Sequence, residues 1–244
     1  MAAPYDESDD ELPPAYSELA PSPSSGGSRF PAELNLYYPS GAFFLGPNLS
    51  QPLYSVHVSY RHVIPLELEI TLRTGPDSEF PAFGTLRISG SHVHLWAPKQ
   101  VDVDLSQASV AQLGPTGLLG TGYGTYVFSV PVLSTGLVEE YVWKHSIVPD
   151  ILQVSSGWTL SRKPSSEGEA SGSGSAAGAA AGAATSSRGV SNETVATLSF
   201  KKDSRSKIGT IRFEGSGATG ELGDRWAVVA ILTALAIWQH KPRD

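Results

Sequence analysis

The chain has 244 residues, with 25 Gly, 18 Pro, one Met and no Cys, and a formal net charge of −7. Without cysteine it can form no disulfide, no thiolate metal site and no cysteine nucleophile. Apolar residues at 40% exclude wholesale disorder, and the length allows a sizeable core in one or two domains. Residues 1–28 hold six acids (Asp6, Glu7, Asp9, Asp10, Glu11, Glu18) and no Lys or Arg, so the remaining residues are close to neutral. A near-neutral folded part lacks the broad basic face of a general nucleic-acid binder, so no nucleic-acid partner is expected. The N-terminus has neither a positive n-region nor an apolar h-region, so the expected location is cytoplasmic, with peripheral attachment at membranes left open.

In chain order, residues 1–28 read as a disordered, acidic, Pro-rich tail with little to bury. From Leu53 onward the pattern is β. Leu53–Tyr60 alternates, and Leu66–Arg73 sets Leu66, Leu68, Ile70 and Leu72 against Glu67, Glu69, Thr71 and Arg73. Further strands are expected at Phe83–Ser89, His92–Ala97, Gln100–Leu105, Thr125–Val130, Glu140–Lys144, Gly157–Arg162, Thr194–Lys201 and Ile208–Phe213. Between two of them, residues 164–189 are rich in Gly, Ala and Ser and read as a disordered insertion. The β domain therefore comprises residues 30–163 and 190–242.

The last segment differs. Asp224 is placed to cap a helix over Arg225–His240, and Trp226 to Trp238 runs 13 residues without a charge. A helix apolar on every side is buried on every side, in protein or in lipid. A span needs roughly 20 apolar residues, so a core helix is favoured. The expected fold is mainly β: an antiparallel barrel of about ten to twelve strands enclosing a hydrophobic C-terminal helix.

The strand succession from Leu53 to Phe213, followed by GDRWAVVAILTALAIWQH, resembles the tubby C-terminal-like superfamily, which includes tubby proteins, phospholipid scramblases and LURP-one-related proteins. The acidic tail and the Pro52-Leu53-Tyr54-Ser55-Val56 stretch, read as the first strand, resemble fungal members. The resemblance implies a twelve-stranded barrel around the helix and a binding role, with no active-site motif to carry over. The 164–189 insertion departs from that pattern.

Pro13-Pro14-Ala15-Tyr16 is a PPxY motif, the ligand type of WW domains. Pro13 and Pro14 hold polyproline II before binding, so little entropy is lost, and Tyr16 supplies an amphipathic anchor. By resemblance, such tails recruit HECT-type ubiquitin ligases. The segment from Lys201 to Lys207 reads as a hairpin loop carrying Lys201, Lys202, Arg205 and Lys207, with Arg212 on the next expected strand. Clustered cations suit an anionic phospholipid, and tubby domains bind phosphoinositides; a solvated turn is the plainer alternative.

His92 and His94 share one strand face but lack a third ligand, so neither a metal nor a cofactor is expected. Gly114 to Gly124 fails the dinucleotide-binding pattern, and Glu139-Glu140 and Asp102/Asp104 fit exposed strand faces. No catalytic arrangement emerges. The expected function is that of a non-enzymatic adaptor, its tail recruiting a WW-domain protein and its barrel holding a lipid or protein. The alternative is a tail-anchored membrane protein with 226–238 in the bilayer, flanked by interfacial tryptophans.

Overall fold

The computed structural model describes residues 28–39, 41–61, 67–89, 92–96, 105–113, 125–149, 154–163, 192–201 and 206–240. The expectations for the tail, for the Gly114–Gly124 loop, for residues 164–189 and for all but the last residue of the Gln100–Leu105 strand lie outside them. The strands are β1 Glu33–Tyr37, β2 Phe43–Gly46, β3 Tyr54–Arg61, β4 Glu67–Arg73, β5 Ala82–Ser89 and β6 His92–Trp96, then β7 Ser109–Leu113, β8 Thr125–Pro131, β9 Val138–Pro149, β10 Val154–Arg162, β11 Thr194–Phe200 and β12 Lys207–Phe213. Two helices follow, α1 Gly215–Thr219 and α2 Gly223–His240.

The strands form one antiparallel sheet in the order β6-β5-β4-β3-β2-β1-β12-β11-β10-β9-β8-β7. Every consecutive pair except β6 and β7 is laddered, and β1 pairs with β12. β6 and β7 lie side by side without ladder bonds, so the barrel is nearly closed. Alternation explains which side chains point in. On β4, Leu68, Ile70 and Leu72 are buried; on β12, Gly209, Ile211 and Phe213 are buried while Arg212 faces out.

The interior is filled by α2. Every residue from Trp226 to Ile237 is buried, as expected of a helix apolar all round. The stretch that the membrane-anchored alternative would place in a bilayer is thus enclosed by strands, and no described helix is long and apolar enough to cross a membrane. α1 and a left-handed Gly220 turn the chain back into the barrel after β12. A Cβ at Gly217 would run into the Val195 carbonyl oxygen and the Trp226 ring, so the close approach of α1 requires glycine there.

Because neighbours alternate in direction, the barrel has two distinct ends. At the base lie the end of β12, the start of α2 and the β4–β5, β8–β9 and β10–β11 connections. At the top lie the β1–β2, β3–β4 and β11–β12 connections and the C-terminal end of α2.

Two sequence expectations change. The strand at Tyr54–Arg61 is the third and not the first: β1 and β2 are short, and Phe43–Gly46 shows no alternation to read. Asp224 lies inside the first turn of α2, which begins at Gly223, and serves as an ion-pair partner of Arg29.

Candidate functional site

The described chain starts at the base. Arg29 donates its backbone N–H to Asp224 Oδ1 at 3.0 Å, and its Nε lies 3.0 Å from Asp224 Oδ2. Tyr54 donates its hydroxyl to the Arg29 carbonyl at 2.8 Å, and the buried Phe30 packs against Tyr54 and Phe83 with centroids 5.2 and 5.3 Å away. The segment bearing Pro13, Pro14 and Tyr16 lies outside the described residues but joins the barrel at this pinned point.

Of the expected cationic group, Lys202 and Arg205 lie outside the described residues. Lys201 is exposed at the end of β11, where its N–H bonds the Ile208 carbonyl at 3.1 Å. Lys207 is half-buried at the start of β12. Burial pushes its ammonium below the ordinary lysine value, Lys201 and Arg212 push the same way, and Glu33 opposes them. Lys207 is therefore within electrostatic reach of both Lys201 and Arg212, but Lys201 stands at the top end of β11 while Arg212, opposite Thr197 and Glu33, lies towards the base end of β12. Arg212 is engaged: its Nε and an Nη lie 3.2 and 2.9 Å from Glu33 Oε2. A cation held this way offers less to an incoming anion than the sequence suggests.

Sequence reasoning missed two features. The first is a buried ionic network at the base. Glu139, only 5% exposed, corrects the reading of Glu139-Glu140 as an exposed pair. Arg162 donates to both of its oxygens, each at 2.6 Å, and Tyr141 OH donates to Oε2 at 3.0 Å. Arg162 also approaches Glu193 at 3.6 Å, and Glu193 Oε1 accepts the Ser216 N–H at 2.7 Å. Burial would raise the Glu193 carboxyl, but Ser216 and Arg162 outweigh it and hold it below the ordinary range. The network ties β9, β10, the start of β11 and α1 together. The signal was present: Glu139 shares the inward parity of Tyr141 and Trp143, and Arg162 that of Trp158 and Leu160.

The second is an aromatic group at the top. Tyr38 stacks on Phe43 at 4.2 Å, Phe43 meets the Trp238 ring edge-on at 5.0 Å, and Tyr60 donates to Gln239 Oε1 at 2.6 Å. These pairs join the rim to the last turns of α2 across almost the whole sequence, which no local pattern reveals.

His92 and His94 are both exposed on β6, and no cluster able to hold a metal ion occurs among the described residues. The class defined by this geometry is an antiparallel barrel threaded by its own C-terminal helix. Comparison with family models, with curated proteins and with solved structures gives no match.

Proposed function

We propose that this protein is a non-enzymatic adaptor of the tubby-like class, whose tail recruits a WW-domain protein and whose barrel engages an anionic phospholipid. The observation that carries this reading is the PPAY motif at Pro13, Pro14 and Tyr16, set in an acidic stretch that joins a barrel already filled by its own helix. With the interior occupied by Trp226 to Ile237, ligands are met on the outer wall and at the ends. Prolines fixed near polyproline II lower the ordering cost of docking, and the acids upstream favour WW modules with basic surfaces. Engagement of one assembly by both tail and barrel would raise the weak affinity of a single motif through effective concentration. A HECT-type ubiquitin ligase is the WW protein this reading favours. The lipid part rests on Lys201, Lys202, Arg205, Lys207 and Arg212.

The test is calorimetric titration of residues 1–28 against a panel of WW modules, beside Pro14→Ala and Tyr16→Ala forms. Micromolar binding by the parent, lost in both variants, is the expected result. Absence of binding by the parent across the panel overturns the adaptor reading.

A further inference from the structure

We infer that the barrel docks end-on onto an anionic bilayer, through the arc of its top rim formed by β3, the β1–β2 turn, β12 and β11. This rests on the reading that the barrel's ligand is an anionic phospholipid, and it says which surface meets the lipid. The strands concerned are contiguous in the sheet, in the order β3-β2-β1-β12-β11. Along that arc stand Tyr60 and Arg61 at the end of β3, Tyr38 in the β1–β2 turn, Lys207 at the start of β12 and Lys201 just after β11. Tyr38 and Tyr60 are 41% and 46% exposed, and Arg61 and Lys201 are also exposed.

This is the residue mixture that suits a membrane interface. Amphipathic aromatic rings settle at headgroup level, and cations beside them are drawn to anionic lipid. The aromatics are held in place from behind, by Phe43 between Tyr38 and Trp238 and by the Tyr60–Gln239 bond. The rigid helix in the barrel therefore backs the rim, and little side-chain freedom remains to be lost on docking.

The base contrasts with this. It exposes more aliphatic surface, at Leu133, Leu137 and Val138, but its turns carry the exposed acids Asp77, Glu79 and Glu221. The exposed base cations Arg29, Lys163 and Arg212 are each held by a carboxylate, so these acids repel an anionic leaflet. At the top arc, the one carboxylate set beside the cations among the described residues is Glu67, opposite Arg61. Docking by the top leaves the base, where the PPAY-bearing segment joins at Arg29, facing away from the membrane and open to a WW protein.

The experiment is cosedimentation of the full chain with phosphatidylcholine vesicles and with vesicles containing about a quarter phosphatidylserine, over rising salt. Binding is expected only to the anionic vesicles and should weaken as salt screens the cations. An Arg61→Glu/Lys201→Glu double variant should lose about tenfold or more in partitioning. Tyr38→Ser/Tyr60→Ser should lose part of it, and Leu133→Ser/Leu137→Ser at the base should lose none. All substituted side chains are exposed, and a melting curve for each variant confirms folding.

Retained binding in the Arg61/Lys201 variant with loss in Arg212→Glu, on the exposed outer face of β12, would put the lipid on the barrel wall, overturning end-on docking while keeping the phospholipid reading. Loss confined to the Leu133/Leu137 variant also overturns it. No binding to any vesicle overturns both.

Discussion

Trp143 on β9 donates its indole N–H to Thr233 Oγ1 of α2 at 2.9 Å, inside a barrel where both side chains are fully buried. Thr233 in turn donates back to the helix carbonyls of Val229 and Ala230, at 2.8 and 3.0 Å. The hydroxyl is thus acceptor to the wall and donor to the helix, which satisfies the indole without an unpaired group on α2. Thr233→Val keeps the shape and orphans the indole N–H, so it should cost about 1–3 kcal/mol. Thr233→Ser, which keeps the hydroxyl, should lose only the methyl contribution of about 1 kcal/mol. Urea unfolding of both variants checks this. Equal losses would mean that packing alone holds the pair.

The Glu139–Arg162 pair makes the same point with charge. Forked bonding with Glu139 buried means that neutralising one partner leaves the other short of its counterpart. Glu139→Gln should destabilise by about 3 kcal/mol. Arg162→Met combined with Glu139→Leu should cost less than the sum of the single changes, because no orphaned charge remains. A double-mutant cycle in urea that came out additive would count against a coupled pair.

How much of this could be read beforehand follows from the range of each interaction. α2 was legible because 13 uncharged residues in a row declare their environment without any partner being known. β4 was legible because Leu68, Ile70 and Leu72 alternate with polar side chains over a full strand. β1 and β2 were not: at five and four residues they offer too few alternations, and their pairing with β12 and β3 supplies what local pattern lacks. Glu139 was misread because a carboxylate defaults to solvent when its partner is unseen, although its parity with Tyr141 and Trp143 pointed inward. The top rim was out of reach altogether. Tyr60 meets Gln239 only because the helix ends where β3 ends.

Three buried tyrosines set the behaviour at high pH. Burial pushes Tyr126 up to about 12; at Tyr54 burial, with Asp224 adding and Arg29 opposing, also gives about 12. Tyr141 is raised further by burial and by the adjacent Glu139. In the unfolded chain these phenols ionise near 10, so above that pH the unfolded state releases protons that the folded state keeps. The tyrosines therefore favour the fold below about pH 10 and progressively less as pH rises towards 12. The urea midpoint should fall between about pH 9 and about pH 11, with phenolate absorbance appearing together with unfolding. Tyr126→Phe should flatten that fall. An unchanged midpoint across the range would mean that the phenols are already open to solvent.

Residues 164–189 lie between β10 and β11 in the chain, and the two strands stay paired to their ends. Arg162 donates its N–H to the Glu193 carbonyl at 2.9 Å, Lys163 bonds the Glu140 carbonyl at 2.8 Å, and the Arg162 and Lys163 side chains hold Glu193 and Glu140. These contacts close the facing ends of β10 and β11 from within the barrel, so the expectation is that the strands pair without the residues between them. Deleting residues 165–188 leaves enough chain for an ordinary hairpin loop. Loop entropy changes slowly with length, so the deletion should shift stability by no more than about 1–2 kcal/mol, in the stabilising direction if the short loop is unstrained. Thermal melts of the deleted and full chains decide the matter. A drop of many degrees would show that the segment contributes to the barrel, and a WW-module titration of the full chain unchanged by the deletion would show that the PPAY motif acts without it.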